Sequence, residues 1–477
     1  MRKIPGSLLI VLLILFATPA AHAITLDQLV RAYAERRGFS GVVLVARDGR
    51  PLYQGAFGQA HPSWKIPLRS DAVFRIGSLS KPMTATLVMR LAETGRIDLD
   101  GTLGRYLPAL YAGSAAGDIT VRQLLSHTSG LADVPPRYTD PFWLRDARRQ
   151  YTPAEFAREW IPTTLTSAPG SFRYNNNGYY LLGLIIEAAT GQSYAENLKR
   201  HVLDPVGMRA TGVFDGRTVL PKLTQGTVRT DEGARELPQF IDPSVSYAAA
   251  GLYSTAQDLL RFDTALTAGR LLGSAAQREM FTDRGKGYGY GWNVEDWAVR
   301  PGAALPVVQH TGSVPGYQSM LVRSLSDRVT IIILDNAWRG ATVVSMARDI
   351  ADLVHGKRVA LPKRSVADAL GPVLFRDGLE AMRAEYARLR AKDYDKSESA
   401  LNGFGYTLLR KGGIEAAIQV FRWNAEANVA SPNVHDSLGE ALLASGDREG
   451  ARASYARVLA LDPGNRHAAE ALEGLRD

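Results

Sequence analysis

The sequence contains no cysteine, and its 477 residues include only eight histidines. Without cysteine there are no disulfide bonds, no thiolate zinc sites and no cysteine nucleophile. No two histidines are spaced as neighbours on a helix or in a turn, so a histidine-based metal site is not expected. We therefore predict that the chain uses no cofactor and no metal ion.

Long runs of like charge are also missing. The net charge is +8, but no run of five like charges marks a basic arm. No nucleic-acid-binding motif accompanies the basic residues, so we predict no nucleic-acid partner. A hydrophobic fraction of 45% and a charged fraction of 22% are typical of a globular protein. The length favours two or three domains.

Residues 1–23 have the three parts of a secretory signal peptide. Arg2 and Lys3 make the start positive, an apolar stretch runs from Leu8 to Phe16, and Ala21-His22-Ala23 places small residues before a cleavage point. The alternative is an N-terminal membrane anchor, although the apolar stretch is short for a span. We predict an exported protein, periplasmic or secreted, with no stable membrane anchor after cleavage.

Strand patterns lie at both ends of the segment 24–356. An apolar run from Gly41 ends at an Asp-Gly turn and is followed by a second strand, and two more strands are predicted at 317–323 and 329–334. The long stretch between these strand regions is largely helical. We expect an α+β domain over 24–356, with an antiparallel sheet flanked by helices plus a helical subdomain.

The remaining chain has a different composition. Residues 357–375 begin with a polar stretch and are predicted to form a linker, whereas 376–477 are rich in Ala, Leu, Arg and Glu. Phe404 and Gly405 are matched by Leu438 and Gly439, a period of 34 residues that resembles tetratricopeptide repeats, in which each repeat is a pair of helices. We expect an α-helical repeat tail that binds a protein or peptide partner. The alternative is a structural cap on the first domain.

The first candidate for chemistry contains Ser78 and Lys81. A serine hydroxyl needs a base before it can attack a carbonyl. Residues three positions apart lie on the same face of a helix, so a helix here would place the hydroxyl beside the amine. A lysine with its usual pKa of about 10.4 is a poor base, so burial or a nearby positive charge must lower that pKa. Ser80 is a second hydroxyl, but it does not face Lys81.

Two later segments supply further polar groups. Tyr174 can carry a proton and Asn176 can hold a substrate by its amide. Gly312 allows the backbone to approach a ligand, and the amide of Ser313 can complete an oxyanion hole with that of the serine. His310 would present a polar, partly charged group. Each segment also has a structural explanation: a loop that caps a helix, and a turn that enters a strand.

The order and separation of the three segments resemble the Ser-x-x-Lys, Tyr-x-Asn and Lys-Thr-Gly motifs of the serine β-lactamase and DD-peptidase superfamily. Residues 119–131, 251–259 and 288–292 resemble further segments of its class C-like members. The resemblance covers roughly residues 30–355 and implies the β-lactamase/DD-peptidase-like fold. Within these segments, His127 and Asp258 are expected to serve packing and capping.

The resemblance also implies roles. Ser78 would form an acyl-enzyme, Lys81 and Tyr174 would transfer protons, and Asn176 would help to hold the substrate. His310 stands where many members have a lysine that binds a substrate carboxylate, which favours esterase or peptidase members over β-lactamases. The implied function is a serine hydrolase acting on a small-molecule or peptide acyl substrate: an ester, a D-amino-acid peptide or a β-lactam. The alternative is a non-catalytic cell-envelope binding protein that uses both domains for recognition.

Overall fold

The computed structural model describes residues 24–135, 140–230, 232–300, 303–338 and 342–475. The predicted signal segment 1–23 lies outside the described residues. Across those ranges, no helix combines the length and the apolar character needed to cross a membrane.

The described strands fall into two length classes, and all those of seven or more residues belong to one sheet. In chain order they are β1 (Gly41–Arg47), β2 (Arg50–Phe57), β3 (Gln59–His61), β4 (Ile66–Pro67), β5 (Phe74–Arg75), β6 (Gly212–Val213), β7 (Thr227–Arg229), β8 (Arg235–Glu236), β9 (Leu252–Ser254), β10 (Asn293–Arg300), β11 (Ala303–Val314), β12 (Tyr317–Ser324), β13 (Val329–Asp335), β14 (Ala337–Trp338), β15 (Arg364–Ser365) and β16 (Tyr394–Asp395).

The main sheet has six antiparallel strands in the order β10-β11-β12-β13-β1-β2. Asp48 and Gly49 turn β1 into β2 with φ angles of 50° and 72°, the left-handed conformation that an Asp-Gly hairpin turn adopts. The far end of the domain returns to this hairpin, because β13 pairs with β1 from Gly41 opposite Asp335. The predicted hairpin and the predicted pair of later strands are both present.

Both faces of this sheet are covered, which explains why β1 is apolar almost throughout. Val42 and Leu44 belong to a large core shared with the helical region, whereas Val43 and Val45 belong to a second core on the opposite face. The helices on the two faces come from different parts of the chain, so the sheet is the layer that joins them.

The helices occur between the strands and then dominate the C-terminal part. They are α1 (Leu26–Arg37), α2 (Ser80–Glu93), α3 (Leu103–Tyr106), α4 (Pro108–Tyr111), α5 (Val121–Leu125), α6 (Pro141–Leu144), α7 (Pro153–Trp160), α8 (Asn176–Thr190), α9 (Tyr194–Leu198), α10 (Tyr247–Ala250), α11 (Ala256–Thr267), α12 (Ser274–Met280), α13 (Thr342–Val354), α14 (Val366–Asp377), α15 (Leu379–Arg388), α16 (Glu398–Arg410), α17 (Ile414–Ala427), α18 (Pro432–Ser445), α19 (Arg448–Leu461) and α20 (Arg466–Glu473).

Short turns of helix supplement these elements. Six are 3₁₀ turns and one is a π turn within the described ranges: Pro62–Trp64, Gly77–Leu79, Ala115–Asp118, Asp146–Arg148, Lys199–Leu203 (π), Asp204–Val206 and Pro243–Val245. The predicted fold class is confirmed, since an antiparallel sheet flanked by helices is followed by a C-terminal helical region.

The C-terminal region packs as successive helix pairs. A side chain at Gly405 of α16 would collide with the ring of Phe421 in α17, and one at Gly439 of α18 would press on the ring of Tyr455 in α19. The two glycines thus let an aromatic ring of the following helix come close, in the same way in each pair. The tetratricopeptide assignment stays a prediction that this packing is consistent with.

The predicted linker 357–375 is irregular only at its start. β15 and most of α14 lie within it, and β15 pairs in parallel with β16 of the helical region. Arg37 of α1 forms an ion pair of 2.7 Å with Asp395 of β16. The two parts of the chain are therefore in contact through defined secondary structure rather than through a loose tether.

A buried ion pair fastens α11 to the sheet, and its loss is expected to destabilise the fold. Asp263 lies 3.5 Å from Arg323 of β12 and accepts a 2.5 Å hydrogen bond from Thr330 of β13. Asp263→Ala should lower the free energy of unfolding by about 3–5 kcal/mol, because the buried guanidinium loses its counter-charge. Chemical denaturation measures this. Asp71→Ala, which breaks two surface ion pairs, with Arg69 and with Lys222, should change it by about 1 kcal/mol or less, and equal effects would contradict the expectation.

Candidate active site

Ser78 lies in the 3₁₀ turn Gly77–Leu79, directly before α2. Gly77 has a φ of 56°, and a Cβ there would lie 2.6 Å from the amide nitrogen of Ser313. A Cβ on Gly312 would lie 1.8 Å from the carbonyl oxygen of Ile76. Two glycines thus allow this turn to press against β11, and the predicted helix begins two residues after Ser78 instead of at it.

Lys81 occupies the first turn of α2 and is completely buried. Its Nζ lies 3.1 Å from Ser78 Oγ and donates hydrogen bonds to Asn176 Oδ1 at 2.8 Å and to the carbonyl oxygen of Ala249 at 3.0 Å. Burial lowers the pKa of Lys81 to about 7, and the negative charge of Asp133 opposes that shift. A large share of the amine is consequently neutral at neutral pH and able to accept a proton.

Tyr174 covers the Ser78 and Lys81 pair from the opposite side. Its ring centroid is 4.8 Å from Lys81 Nζ. The residue as a whole is 36% exposed. Burial raises the pKa of Tyr174, and the nearby side chain of Ser78 only partly offsets this. The phenol is therefore neutral, so that it can donate its proton and accept a hydrogen bond.

Asn176 begins α8 and is oriented by Asp133, a residue that the motifs did not identify. Asp133 accepts hydrogen bonds from the backbone amides of Asn176 at 2.8 Å and Asn177 at 3.3 Å, and from Asn176 Nδ2 at 3.1 Å. Because the NH₂ group of Asn176 points at the carboxylate, its oxygen must face Lys81. Asp133 lies two residues after the segment 119–131, which resembles a segment of class C-like members. This closeness to a matching segment is the one indication of Asp133 in the sequence.

His310 lies close to Tyr174, at 6.2 Å between ring centroids, but it is only 2% exposed. Its Nδ1 is 2.5 Å from the carbonyl oxygen of Thr311 and its Nε2 is 3.0 Å from the hydroxyl of Tyr288, so Nδ1 carries the proton and Nε2 accepts. Burial, helped by the nearby Lys81, lowers the pKa of His310 to about 3. The imidazole is therefore neutral and enclosed, and the part of His310 in substrate binding stays a prediction.

His127 belongs to the same buried group of rings. Its ring centroid is 4.3 Å from that of Tyr174 and 4.7 Å from that of Tyr288. Its Nδ1 accepts a hydrogen bond of 3.1 Å from the amide of Asn175, the N-cap residue of α8. Asp258 accepts from the amide of Ala210 and forms an ion pair with Arg261. Neither residue lines the cavity at Ser78.

A cavity of about 130 Å³ opens at Ser78. Tyr174, Asn176 and Ser313 line it together with Ser78, so four of the predicted site residues meet at one place. Lys81 does not line this cavity but contacts Ser78, which does. Arg75 is the charged member of the remaining wall, and Asn177 and Ser246 are polar. The other wall residues are apolar or aromatic: Val134, Trp143, Tyr180, Ile241, Val245, Ala249, Ala250, Val314 and Pro315. Within the described ranges, no cluster of three or more His, Asp or Glu side chains could hold a metal ion.

The sequence model of the Beta-lactamase family matches residues 26–356. The chain belongs to the beta-lactamase family. The matched residues make up well over half of the chain and include every side chain described above around Ser78.

Individual relatives within the beta-lactamase family differ in activity. The chain is 31% identical over 335 residues to penicillin-binding protein 4* of Bacillus subtilis (strain 168), covering 65% of this chain and 71% of that protein. It is 29% identical over 374 residues to esterase EstB of Burkholderia gladioli, covering 67% and 92%. Among solved structures, a D-stereospecific amidohydrolase from a Streptomyces species superposes with a TM-score of 0.56 at 27% identity, covering 67% of this chain and 96% of that one.

These comparisons identify the chain as a hydrolase of the beta-lactamase family, with penicillin-binding, esterase and amidohydrolase relatives. Serine hydrolases of this kind need a hydroxyl, a base that is neutral at working pH, and donors for a developing oxyanion. The site has a hydroxyl and a buried amine 3.1 Å apart, and Ser313 lines the same cavity as Ser78.

The pKa of Lys81 predicts how activity depends on pH. We expect kcat/KM for a neutral ester to fall as the pH drops through about 7, because protonated Lys81 cannot accept the proton of Ser78. Lys81→Arg should lower kcat/KM by roughly 100-fold or more and remove this inflection. Lys199→Gln, an exposed lysine, should leave the pH profile unchanged. A profile of the unmodified protein that is flat between about pH 6 and about pH 8 would contradict this role.

Asp133 is expected to act as a positioning residue. Asp133→Asn should move the acidic inflection of kcat/KM to lower pH, because the charge that raises the pKa of Lys81 is lost. It should also lower kcat/KM about tenfold at its optimum, since Asn176 is no longer held in one orientation. A pH–rate profile measures both effects. Asp98→Asn serves as the control, and a loss of activity without any displacement of the inflection would argue for a structural role only.

Proposed function

We propose that the protein is a serine hydrolase that forms an acyl-enzyme on Ser78 and hydrolyses an ester or a D-amino-acid peptide. The observation that carries the proposal is the buried Lys81 amine, 3.1 Å from Ser78 Oγ and with a pKa lowered to about 7. A buried lysine amine in this state, in contact with a hydroxyl that lines a cavity, has the properties of a general base.

The proposed reaction uses the side chains in sequence. Ser78 Oγ attacks the carbonyl carbon of the substrate while its proton passes to Lys81. The amides of Ser78 and Ser313 receive the oxyanion, as their shared position on the cavity wall allows. When the bond to the leaving group breaks, Tyr174 supplies a proton to that group and regains one from Lys81. Water then attacks the acyl-enzyme by the same route in reverse and releases the acid.

The cavity favours a short apolar acyl group. Its volume of about 130 Å³ is small, and most of its wall is apolar or aromatic. His310 is neutral, so it supplies no charge for the carboxylate of a β-lactam. An esterase activity fits these features best, and the resemblance to an esterase of Burkholderia gladioli agrees with it.

One observation favours a second candidate, a D-alanyl-D-alanine carboxypeptidase-like activity. Arg75 lies on the cavity wall, with its guanidinium 4.8 Å from the ring of Phe214. A guanidinium at this place suits the terminal carboxylate of a peptide. Both candidates use the same Ser78 chemistry and differ in the leaving group.

The proposed place of action is outside the cytoplasm, in the periplasm or secreted. The support is the signal-peptide pattern of residues 1–23, with its positive start, apolar stretch and small residues before a cleavage point. The helical tail would bind a protein or peptide partner there. A non-catalytic binding role is the alternative.

Intact-mass spectrometry distinguishes catalysis from binding. We expect an acyl adduct after exposure to p-nitrophenyl acetate or butyrate, its absence in Ser78→Ala, and retention in the control Ser80→Ala once the unfolding temperature shows that the variant is folded. Hydrolysis of p-nitrophenyl esters should become at least about tenfold slower from butyrate to octanoate, because the longer chain exceeds the cavity. Unchanged turnover in Ser78→Ala, or no adduct with esters, penicillin and D-Ala-D-Ala peptide alike, would favour the binding role.

A further inference from the structure

A second, larger cavity lies between the catalytic domain and the helical region. Its volume is about 840 Å³. The catalytic domain contributes the segment Val228 to Thr230, Pro238, Gln239, Pro315 and Trp338, and the helical region contributes Ser365, Ala367, Asp368, Thr407, Arg410 and Lys411. We call it the interdomain groove.

The interdomain groove borders the cavity at Ser78. Pro315 lines both, immediately after the β11 segment that carries Ser313. Gln239 on the groove side donates a 2.6 Å hydrogen bond to the carbonyl oxygen of Trp143, a residue of the Ser78 cavity. The two cavities therefore adjoin at Pro315 and at the contact between Gln239 and Trp143.

Basic side chains outnumber acidic ones among the described residues that line the groove. Arg37, Arg229, Arg410 and Lys411 stand there with Asp368 as the one carboxylate. Arg229 is paired with Asp368 at 2.6 Å, and Arg37 is paired with Asp395.

Arg410 differs from the paired arginines. It donates to Thr407 Oγ1 at 3.2 Å and forms no ion pair with any residue that the structure describes. A guanidinium without a counter-charge in a groove between two domains is suited to a carboxylate of a ligand. The hydroxyls of Thr230, Ser365 and Thr407 add neutral hydrogen-bonding groups.

We propose that the interdomain groove binds the distal, carboxylate-bearing part of an extended peptide substrate whose reactive end lies at Ser78. This inference rests on the proposed hydrolase function and assigns to the helical region a share in substrate selection. A fully extended peptide segment of about five residues is roughly 17 Å long.

The test compares two labelled peptides that end in D-Ala-D-Ala. One carries about five glutamates before this end and the other carries the same number of glutamines, and binding to the Ser78→Ala protein is measured by fluorescence anisotropy. At low salt the glutamate peptide should bind about tenfold more tightly than the glutamine peptide, and this preference should shrink with added salt. Equal binding of the two peptides, or no binding of either, would overturn the proposal.

Variants of Arg410 test whether the preference for the glutamate peptide arises in the interdomain groove. Each variant is introduced into the Ser78→Ala protein. Arg410→Gln should reduce the preference for glutamate about threefold, and Arg410→Glu should remove it. Arg410→Lys should retain most of the preference, because it keeps the positive charge that attracts the glutamates. Arg388→Gln, an exposed arginine of the same region outside the groove, is the matched control and should keep it. A preference that survives Arg410→Glu in a variant with unchanged unfolding temperature would refute the assignment.

Ester hydrolysis by the otherwise unmodified protein separates the two proposals. If esters are turned over and acylate Ser78 while the peptides show no charge preference, the groove assignment fails and the hydrolase function stands. If the glutamate preference is found without any acylation of Ser78, the groove assignment stands and the hydrolase function fails.

Discussion

A lysine amine buried beside a serine hydroxyl is the constraint on which the rest of the site depends. Among the described residues, Lys81 has no counter-charge in direct contact and is held instead by neutral groups, the oxygens of Asn176 and Ala249. Low polarity around the amine weakens its hold on a proton. Each surrounding element has a part in this: α2 carries the amine, α8 supplies an amide oxygen, and β11 closes the turn that holds Ser78.

Much of this arrangement can be predicted from the sequence, because it depends on local patterns. The hairpin at Asp48 and Gly49, the paired strands near 317–335 and the helix after Ser78 all follow from alternation, turn residues and spacing. Ser78, Tyr174, Asn176 and Ser313 meet at one cavity as their motifs lead one to expect. The family match over residues 26–356 agrees with the fold class.

Two features depend on tertiary packing and escape such patterns. The contribution of Asp133 arises only when its loop meets the first turn of α8, which no spacing reveals. His310 has the right place in a motif, but enclosure beneath Tyr174 and Tyr288 removes its charge. A residue's position in a motif predicts where its backbone lies, whereas the pKa depends on how much water reaches the side chain. The interdomain groove likewise arises from the contact of two separately recognisable parts.

The pairing of β1 with β13 has a consequence for how activity arises. Gly41 near the start of the domain lies opposite Asp335 near its end. In the same sheet, the strand β11, which carries Ser313, is two strands from β13. Contacts between such distant parts of a chain form late and slowly. Ser313 therefore joins Ser78 at the cavity only after nearly the whole domain has been synthesised. An incomplete chain, such as one still emerging from the ribosome, keeps Ser78 and Lys81 apart from the strand that completes this cavity.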